Sequence, residues 1–326
     1  MVCKIFYRLV LGVFLGSIFP FMALGQGSED AGFCSVGSLR SLNITQSDSF
    51  KQRILGAGLG FGMGEKNIII AIPTIEWNQS FGSKFAVQGK LSYQYSSGKL
   101  GKVTGISDAF LTVMPTIYRP KQTDSTQSNI LITGTIGVRA PLGRTDFETE
   151  TIDSASLMPI TYPMAYQPGL GSLDLILGTT FQVKKWHFAL AAQLPVYHVN
   201  RNNFMYSSDT VKVVEKYFES RQLIRKPDVM LRADRRFHLG EKFQLSTGLI
   251  ALYHLGNDTS LDSTGKRFEH LNSEGLTANI NLGMVWLAGS HFRIEAQAGA
   301  PILARKSRPD GLTRNGIITV LFQYSF

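Results

Sequence analysis

Segments of about ten residues in which apolar and polar side chains alternate constrain this chain more than any other feature. The clearest is Phe85–Tyr95. One face carries Phe85, Val87, Gly89, Leu91, Tyr93 and Tyr95, and the other carries Ala86, Gln88, Lys90, Ser92 and Gln94. Successive side chains of a strand point to opposite faces, so this segment has one greasy and one wet surface. The same pattern predicts strands at 53–63, 66–77, 84–96, 105–118, 129–140, 172–183, 185–198, 228–238, 242–255, 275–287, 291–303 and 315–326. The expected class is all-β. Beyond residue 25 no apolar run is long enough for a membrane-spanning helix. A soluble sandwich shares the alternation, so three further features must discriminate.

Connection lengths come first. Short links such as Lys184-Lys185, Leu239-Gly240-Glu241 and Ala288-Gly289-Ser290 alternate with long ones at 141–171, 199–227 and 256–274. If the strand at 53 runs upward, every long loop falls at one end and both chain ends fall at the other. Outer-membrane barrels show this asymmetry. Gly64-Glu65, short for the long-loop end, and 119–128, long for the short-turn end, fit less cleanly.

Aromatic placement is the second feature. Trp77, Phe85, Phe181, Trp186, Phe237, Phe243, Trp286, Phe292 and Phe326 all fall at the short-turn ends of strands. Amphipathic rings collect at the lipid–water boundary, whereas a sandwich would hold them mid-strand in its core. The third feature is the last strand, where Ile318, Val320, Phe322, Tyr324 and Phe326 share one face. It resembles the C-terminal strand by which outer-membrane barrels engage their assembly machinery. Together these features predict a transmembrane antiparallel β-barrel of about twelve strands in the cell outer membrane of a Gram-negative bacterium, with outer-membrane lipids as its surroundings.

Residues 1–25 read as a signal peptide: Lys4 and Arg8, then an apolar core at Leu9–Met22, then Ala23-Leu24-Gly25. Residues 26–50 are expected to be a periplasmic or plug segment, and 51–326 the barrel. Removing Lys4 and Arg8 leaves 31 basic against 24 acidic side chains. No basic helix or aromatic-basic motif accompanies that excess, so nucleic acid is not an expected partner. Cys34 is then the lone cysteine, a free thiol without a small residue directly before it as lipidation requires.

The wet faces supply the candidate interior residues: Glu76, Lys90, Asp108, Arg139, Asp174, His187, Arg232, Asp234, Arg236, Arg293 and Glu295. Arg139, Asp174, Arg232, Asp234, Arg236, Arg293 and Glu295 are the expected lumen or constriction set. Their near balance of sign suits salt bridges that stiffen a modest lumen, or a pore lining that selects polar or anionic solutes. Arg235 breaks the pattern, since it shares the greasy face with Val229, Leu231, Ala233 and Phe237. It either snorkels at the interface or is turned inward by a bulge.

Pro73, Pro115, Pro195 and Pro301 interrupt strands, and proline cannot donate to the ladder. Each marks a bulge or a kink in the wall, with Pro73, nearest mid-strand, the candidate for an opening. The 141–171 loop either folds over or into the mouth, where Met158, Tyr162, Met164 and Tyr166 line an apolar entrance, or is a plain surface loop. Alternation at Thr210–Phe218 suggests that the flanking strands rise above the membrane. The six histidines have no metal-ligand spacing, Gly56–Gly60 lacks the lysine of a phosphate loop, and His198 has no serine beside it in the pattern. No enzyme, cofactor or metal is therefore expected.

Three blocks, Ala140-Pro-Leu-Gly-Arg-Thr145, Pro168-Gly-Leu-Gly-Ser-Leu-Asp174 and Arg225-Lys-Pro-Asp-Val-Met-Leu-Arg-Ala-Asp234, resemble outer-membrane transporter-like barrels grouped with the meta-pathway phenol-degradation proteins, in Bacteroidetes-type forms. The resemblance implies porin-like passive uptake of small hydrophobic or aromatic molecules. The alternative is a structural or partner-binding barrel whose lumen is closed by its charges.

Overall fold

The computed structural model describes residues 34–40, 53–64, 67–120, 130–152, 159–205, 217–311 and 314–326. The expected signal peptide, Met158 and residues 210–216 lie outside these.

The chain builds a wall strand by strand: β1 (Arg53–Gly64), β2 (Ile69–Phe81) and β3 (Phe85–Gly98), then β4 (Gly101–Ile106) and β5 (Ala109–Tyr118), which together make one strand. β6 (Ile130–Ala140) follows, then a hairpin of β7 (Glu148–Ile152) and β8 (Pro159–Thr161) outside the wall. Next come β9 (Ser172–Val183), β10 (Trp186–His198), β11 (Asp228–Leu239) and β12 (Phe243–His254). A second external hairpin, β13 (Thr259–Leu261) and β14 (Arg267–Glu269), precedes β15 (Gly275–Leu287), β16 (Phe292–Leu303) and β17 (Arg314–Ser325).

Each wall strand pairs antiparallel with its neighbours, and β1 pairs with β17 from Ile54↔Ser325 to Gly64↔Arg314. The sheet is thus a closed twelve-stranded barrel. Closure pairs the backbone groups that an open sheet would leave bare in lipid. The sequence boundaries agree with the strands to within a few residues. The bottom turns are tight: Gly82 and Gly240 take left-handed conformations there, which glycine adopts without steric cost.

Alternation sorts the side chains as expected. Leu59, Ile75, Leu111, Ile136, Leu231 and Leu249 are exposed on the outside, while Glu76, Gln88, Thr112, Arg139, Asp174 and Arg232 are buried inside. A soluble fold would reverse this order. The aromatic ends stack along the lower rim, with Phe81 on Phe85 at 4.7 Å, Trp186 on Phe188 at 5.8 Å and Phe243 on Trp286 at 6.0 Å between ring centroids.

Arg235 lies on the outer face, without any register shift at that point in β11. Its guanidinium sits over Trp186 at 5.7 Å and Phe237 at 5.3 Å. Of the two expectations, the interfacial one holds, and the cation rests on the girdle's rings.

The prolines divide. At Pro195 and Pro301 the ladder shifts register, in β10 against β9 and in β16 against β15, as rim bulges do. At Pro73 the register with β1 is unbroken, but pairing with β3 skips Ile72 and Pro73, between Ala71↔Tyr95 and Thr74↔Ser92. One strand further on, β3 hands over from β4 to β5, and Ser107 N–H donates to the Ser92 carbonyl at 2.9 Å across the break. The ladder is therefore interrupted on both sides of the middle of β3.

Candidate functional site in the lumen

Residues 34–40 lie inside the barrel. A short 3-10 turn, Gly37–Leu39, packs against β5, β6, β9 and β10. Val36 and Leu39 join Phe110, Ile176, Met230 and Leu252 in an apolar cluster on the lumen side of the wall. Polar contacts hold the remainder. Gly37 N–H donates to Gln88 Oε1 at 2.5 Å, Ser38 Oγ meets Thr135 Oγ1 at 2.6 Å, and Lys90 Nζ donates to Ser35 Oγ at 2.7 Å. Arg232 Nη1 donates to the carbonyls of Cys34 and Leu39, both at 3.1 Å.

The expected constriction residues all face inward, but they form separate groups. Around the inserted segment, Arg40 pairs with Glu76 at 2.9 Å and lies 3.7 Å from Glu295, which pairs with Arg293 at 3.2 Å. Arg232 pairs with Asp234 at 2.6 Å, and Asp234 also meets His187 Nδ1 at 3.3 Å. The other nitrogen of His187 lies 3.3 Å from the Ser38 carbonyl. Arg236 donates to Gln182 at 3.1 Å. Nearer the mouth, Arg139 pairs with Asp174 at 2.6 Å and lies 3.7 Å from Asp108. Each charge taken out of water is thus met by an opposite charge or a hydrogen-bonding partner, the condition for holding ions in a low-dielectric interior.

The mouth network extends beyond the expected residues. Arg225 lies 3.8 Å from Asp174, 2.9 Å from Asp228 and 3.4 Å from Asp310. Asp310 also meets Arg305 at 3.2 Å, and His254 bridges Asp228 at 2.7 Å and Asp258 at 2.8 Å. Burial opposes the charge on Asp310, but Arg305 and Arg225 hold its carboxyl well below the usual carboxylate range. The signal for Asp228 was present in the sequence: it continues the inward row of Met230, Arg232 and Asp234 on β11. Arg40, Arg225, Arg305 and Asp310 come from loops, where no alternation marks the inward side.

The described residues of the 141–171 loop fold over the upper lumen, and Tyr162, Met164 and Tyr166 do not line an open mouth. Tyr162 and Tyr166 are buried with Ile68, Ile70, Val103, Phe204 and Tyr217, and Met164 is buried with Leu170 and Leu223. The loop does fold over the mouth, but Tyr162, Met164 and Tyr166 neither line an entrance nor lie on the surface, because they pack as the core of a cap. Gly143 and Gly169 approach so closely that a Cβ on either would collide with the other's backbone. Asp108 grips both ends of the loop by accepting from Gly143 N–H at 3.0 Å and Leu170 N–H at 3.1 Å. Gln94, on the lumen face of β3, donates to the Gln167 carbonyl at 3.1 Å.

Between the inserted segment and the wall lies a cavity of about 200 Å³. Arg40, Lys90 and Arg232 border it on one side. β1 borders it with Gly58 and Gly60; a Cβ on Gly58 would meet the Val320 carbonyl and Leu321 at 2.9 Å, whereas one on Gly60 would meet nothing nearer than 3.5 Å. Thr74, Ser92, Gln94, Asn279 and Gln297 add neutral hydrogen-bonding groups, and Ile72, Phe110 and Leu321 add apolar surface. Among the described residues no group of histidine, cysteine and carboxylate side chains has metal-site geometry.

Such a wall and interior define a transmembrane β-barrel of the outer-membrane type, with a filled lumen. No protein-family model matches the chain, and no curated protein does. Among solved structures, it is similar to the NanC porin at 6% identity and a TM-score of 0.46, covering 83% of this chain and all of that one. It is also similar to the CymD monoaromatic hydrocarbon channel, at 9% identity and a TM-score of 0.43, covering 94% and 99% of the two chains. The translocator domain of the autotransporter NalP from Neisseria meningitidis is similar at 11% identity and a TM-score of 0.39, covering 84% and 88%. Likeness at this level carries no cargo from those proteins to this one.

Proposed function

We propose that this chain is a passive outer-membrane channel for small molecules, closed at rest by Cys34–Arg40 and opened when that segment shifts. The observation that carries the reading is the ion pair between Arg40 and Glu76, beside a cavity that the inserted segment and the wall share. A barrel built only to be solid would fill this space with side chains, yet β1 turns glycines toward it. In this reading Arg139, Asp174, Arg232, Asp234, Arg236, Arg293 and Glu295 form the constriction, and the C-terminal strand engages the assembly machinery.

Two exits serve two kinds of solute. Polar solutes pass down the lumen through the hydrogen-bonding lining. Small hydrophobic or aromatic molecules, the class implied by the phenol-degradation resemblance, leave sideways where the β2–β3 ladder skips Pro73, with Ile72 on the cavity side.

Proteoliposome uptake of a graded set of sugars, amino acids and monoaromatics tests the reading. Entry of at least one class, faster than into protein-free vesicles, is expected. A barrel tight to every solute, with or without the inserted segment, favours the alternative of a closed structural or partner-binding barrel.

A further inference from the structure

The loop between β16 and β17 carries Arg305, Lys306, Ser307, Arg308 and Asp310. It folds inward, so that Arg305, Arg308 and Asp310 are buried while Lys306 remains exposed. Asp310 is the carboxylate this loop delivers to the mouth. Its shortest ion pair, 3.2 Å to Arg305 with 3.4 Å to Arg225, is longer than the shortest pair of Asp228, 2.9 Å to Arg225, or of Asp174, 2.6 Å to Arg139. Asp174 and Asp228 belong to wall strands, whereas Asp310 belongs to a connection. Charge-assisted pairs of good geometry close to about 2.7–2.9 Å. Among these three carboxylates, Asp310 is the one held both loosely and by a connecting segment.

The cations continue inward. Arg225 touches Asp174, Asp174 pairs with Arg139, and Arg139 lines the cavity together with Arg40, Lys90 and Arg232. Guanidinium groups match planar carboxylates in a forked geometry. One carboxylate can replace another at such a site without leaving any buried charge unmatched, which a neutral or cationic solute cannot do.

The geometry points to a small carboxylate as the solute, admitted by taking the place of Asp310 between Arg225 and Arg305. This rests on the channel reading above and names its substrate class. Lys306 on the outer rim attracts the anion, exchange at Arg225 releases the loop, and Arg139 stands next on the path to the cavity.

Calorimetric titration of the detergent-solubilised full-length protein with sodium benzoate, and with benzyl alcohol as the uncharged control, tests this. Saturable benzoate binding and none for benzyl alcohol are expected. Asp310→Asn removes the internal competitor and should tighten benzoate binding several-fold, whereas Arg225→Gln should weaken it at least tenfold. Equal binding of the two probes, absence of benzoate binding, or an Asp310→Asn variant that binds benzoate no better than the parent overturns the assignment. The titration does not depend on conduction: benzoate binding to a barrel that never conducts defeats the channel reading alone, and conduction without benzoate binding defeats this inference alone.

Discussion

Arg40 and Glu76 meet at 2.9 Å with both side chains buried, and their positions lie in different parts of the chain: Glu76 on wall strand β2, Arg40 on the segment that enters the lumen. Removing one partner of a buried pair leaves an uncompensated charge and typically costs about 3–5 kcal/mol. Glu76→Gln should therefore loosen the inserted segment. Cys34, a buried cysteine on that segment, reports the change directly. Its labelling by a small maleimide should be slow in the parent and at least tenfold faster in Glu76→Gln. Equal rates would mean that the ion pair does not hold the segment.

The lipid-facing wall makes a second prediction. Arg235 rests on the girdle rings near the lower rim, where a charge costs about 0–1 kcal/mol. Leu231, on the same face four residues away, is 58% exposed to the outside. Leu231→Arg should destabilise the barrel by about 2–4 kcal/mol, as a charge near the midplane does, while Arg235→Leu should change stability little. Equilibrium folding in urea into lipid vesicles measures both. Similar penalties for the two variants would show that the membrane is not where the outward face places it.

The 256–274 loop should loosen in acid, and the sign follows from two groups. Burial lowers the pKa of His270, opposed by Asp258 and Asp310, and its Nε2 lies 2.9 Å from Ser260 Oγ. Asp258 in turn is bonded to His254. A histidine with a lowered folded pKa contributes stability that is full above its unfolded value, about 6.5, and is lost as pH falls through the folded value. Asp310, held well below the usual carboxylate range, loses its contribution only in stronger acid. Amide exchange in the 256–274 loop should therefore accelerate as pH drops below about 6.5, after correction for the intrinsic rate. His270→Gln should flatten that first step and leave the more acidic one. Unchanged protection down to pH 5 would contradict the assignment.

Pro73 separates the two proposed exits. Replacing it with valine restores the backbone donor that proline lacks. If monoaromatic solutes leave through the interrupted β2–β3 ladder, Pro73→Val should slow their entry into proteoliposomes several-fold and leave sugar entry unchanged. Equal effects on both classes would remove the lateral route.

Much of the wall was legible in the sequence because period two is a local property. The face of Arg139, Asp174, Arg232 and Glu295 follows from their neighbours one and two residues away. Height along the axis and position around it do not follow. Alternation therefore gave one set of interior charges, whereas the barrel holds Arg139–Asp174 near the mouth and the Arg232–Asp234 and Arg293–Glu295 pairs around the inserted segment. The hand-over at Ser107-Asp108 leaves both flanking stretches alternating, so nothing in the pattern marks a break. Loop residues such as Arg40, Arg225 and Asp310 acquire their inward direction only from tertiary packing. Tyr162 and Tyr166 carry the composition of either a mouth or a core, and only the covering by Phe204 and Tyr217 distinguishes the two.

Conductance across a planar bilayer tests the central claim most directly, comparing the full chain with a variant in which residues 34–40 are replaced by a glycine-serine linker of equal length. The account predicts a mostly silent parent with brief openings and a steady, ohmic current from the variant at the same protein density. A variant as silent as the parent, correctly folded in the same membrane, would contradict it.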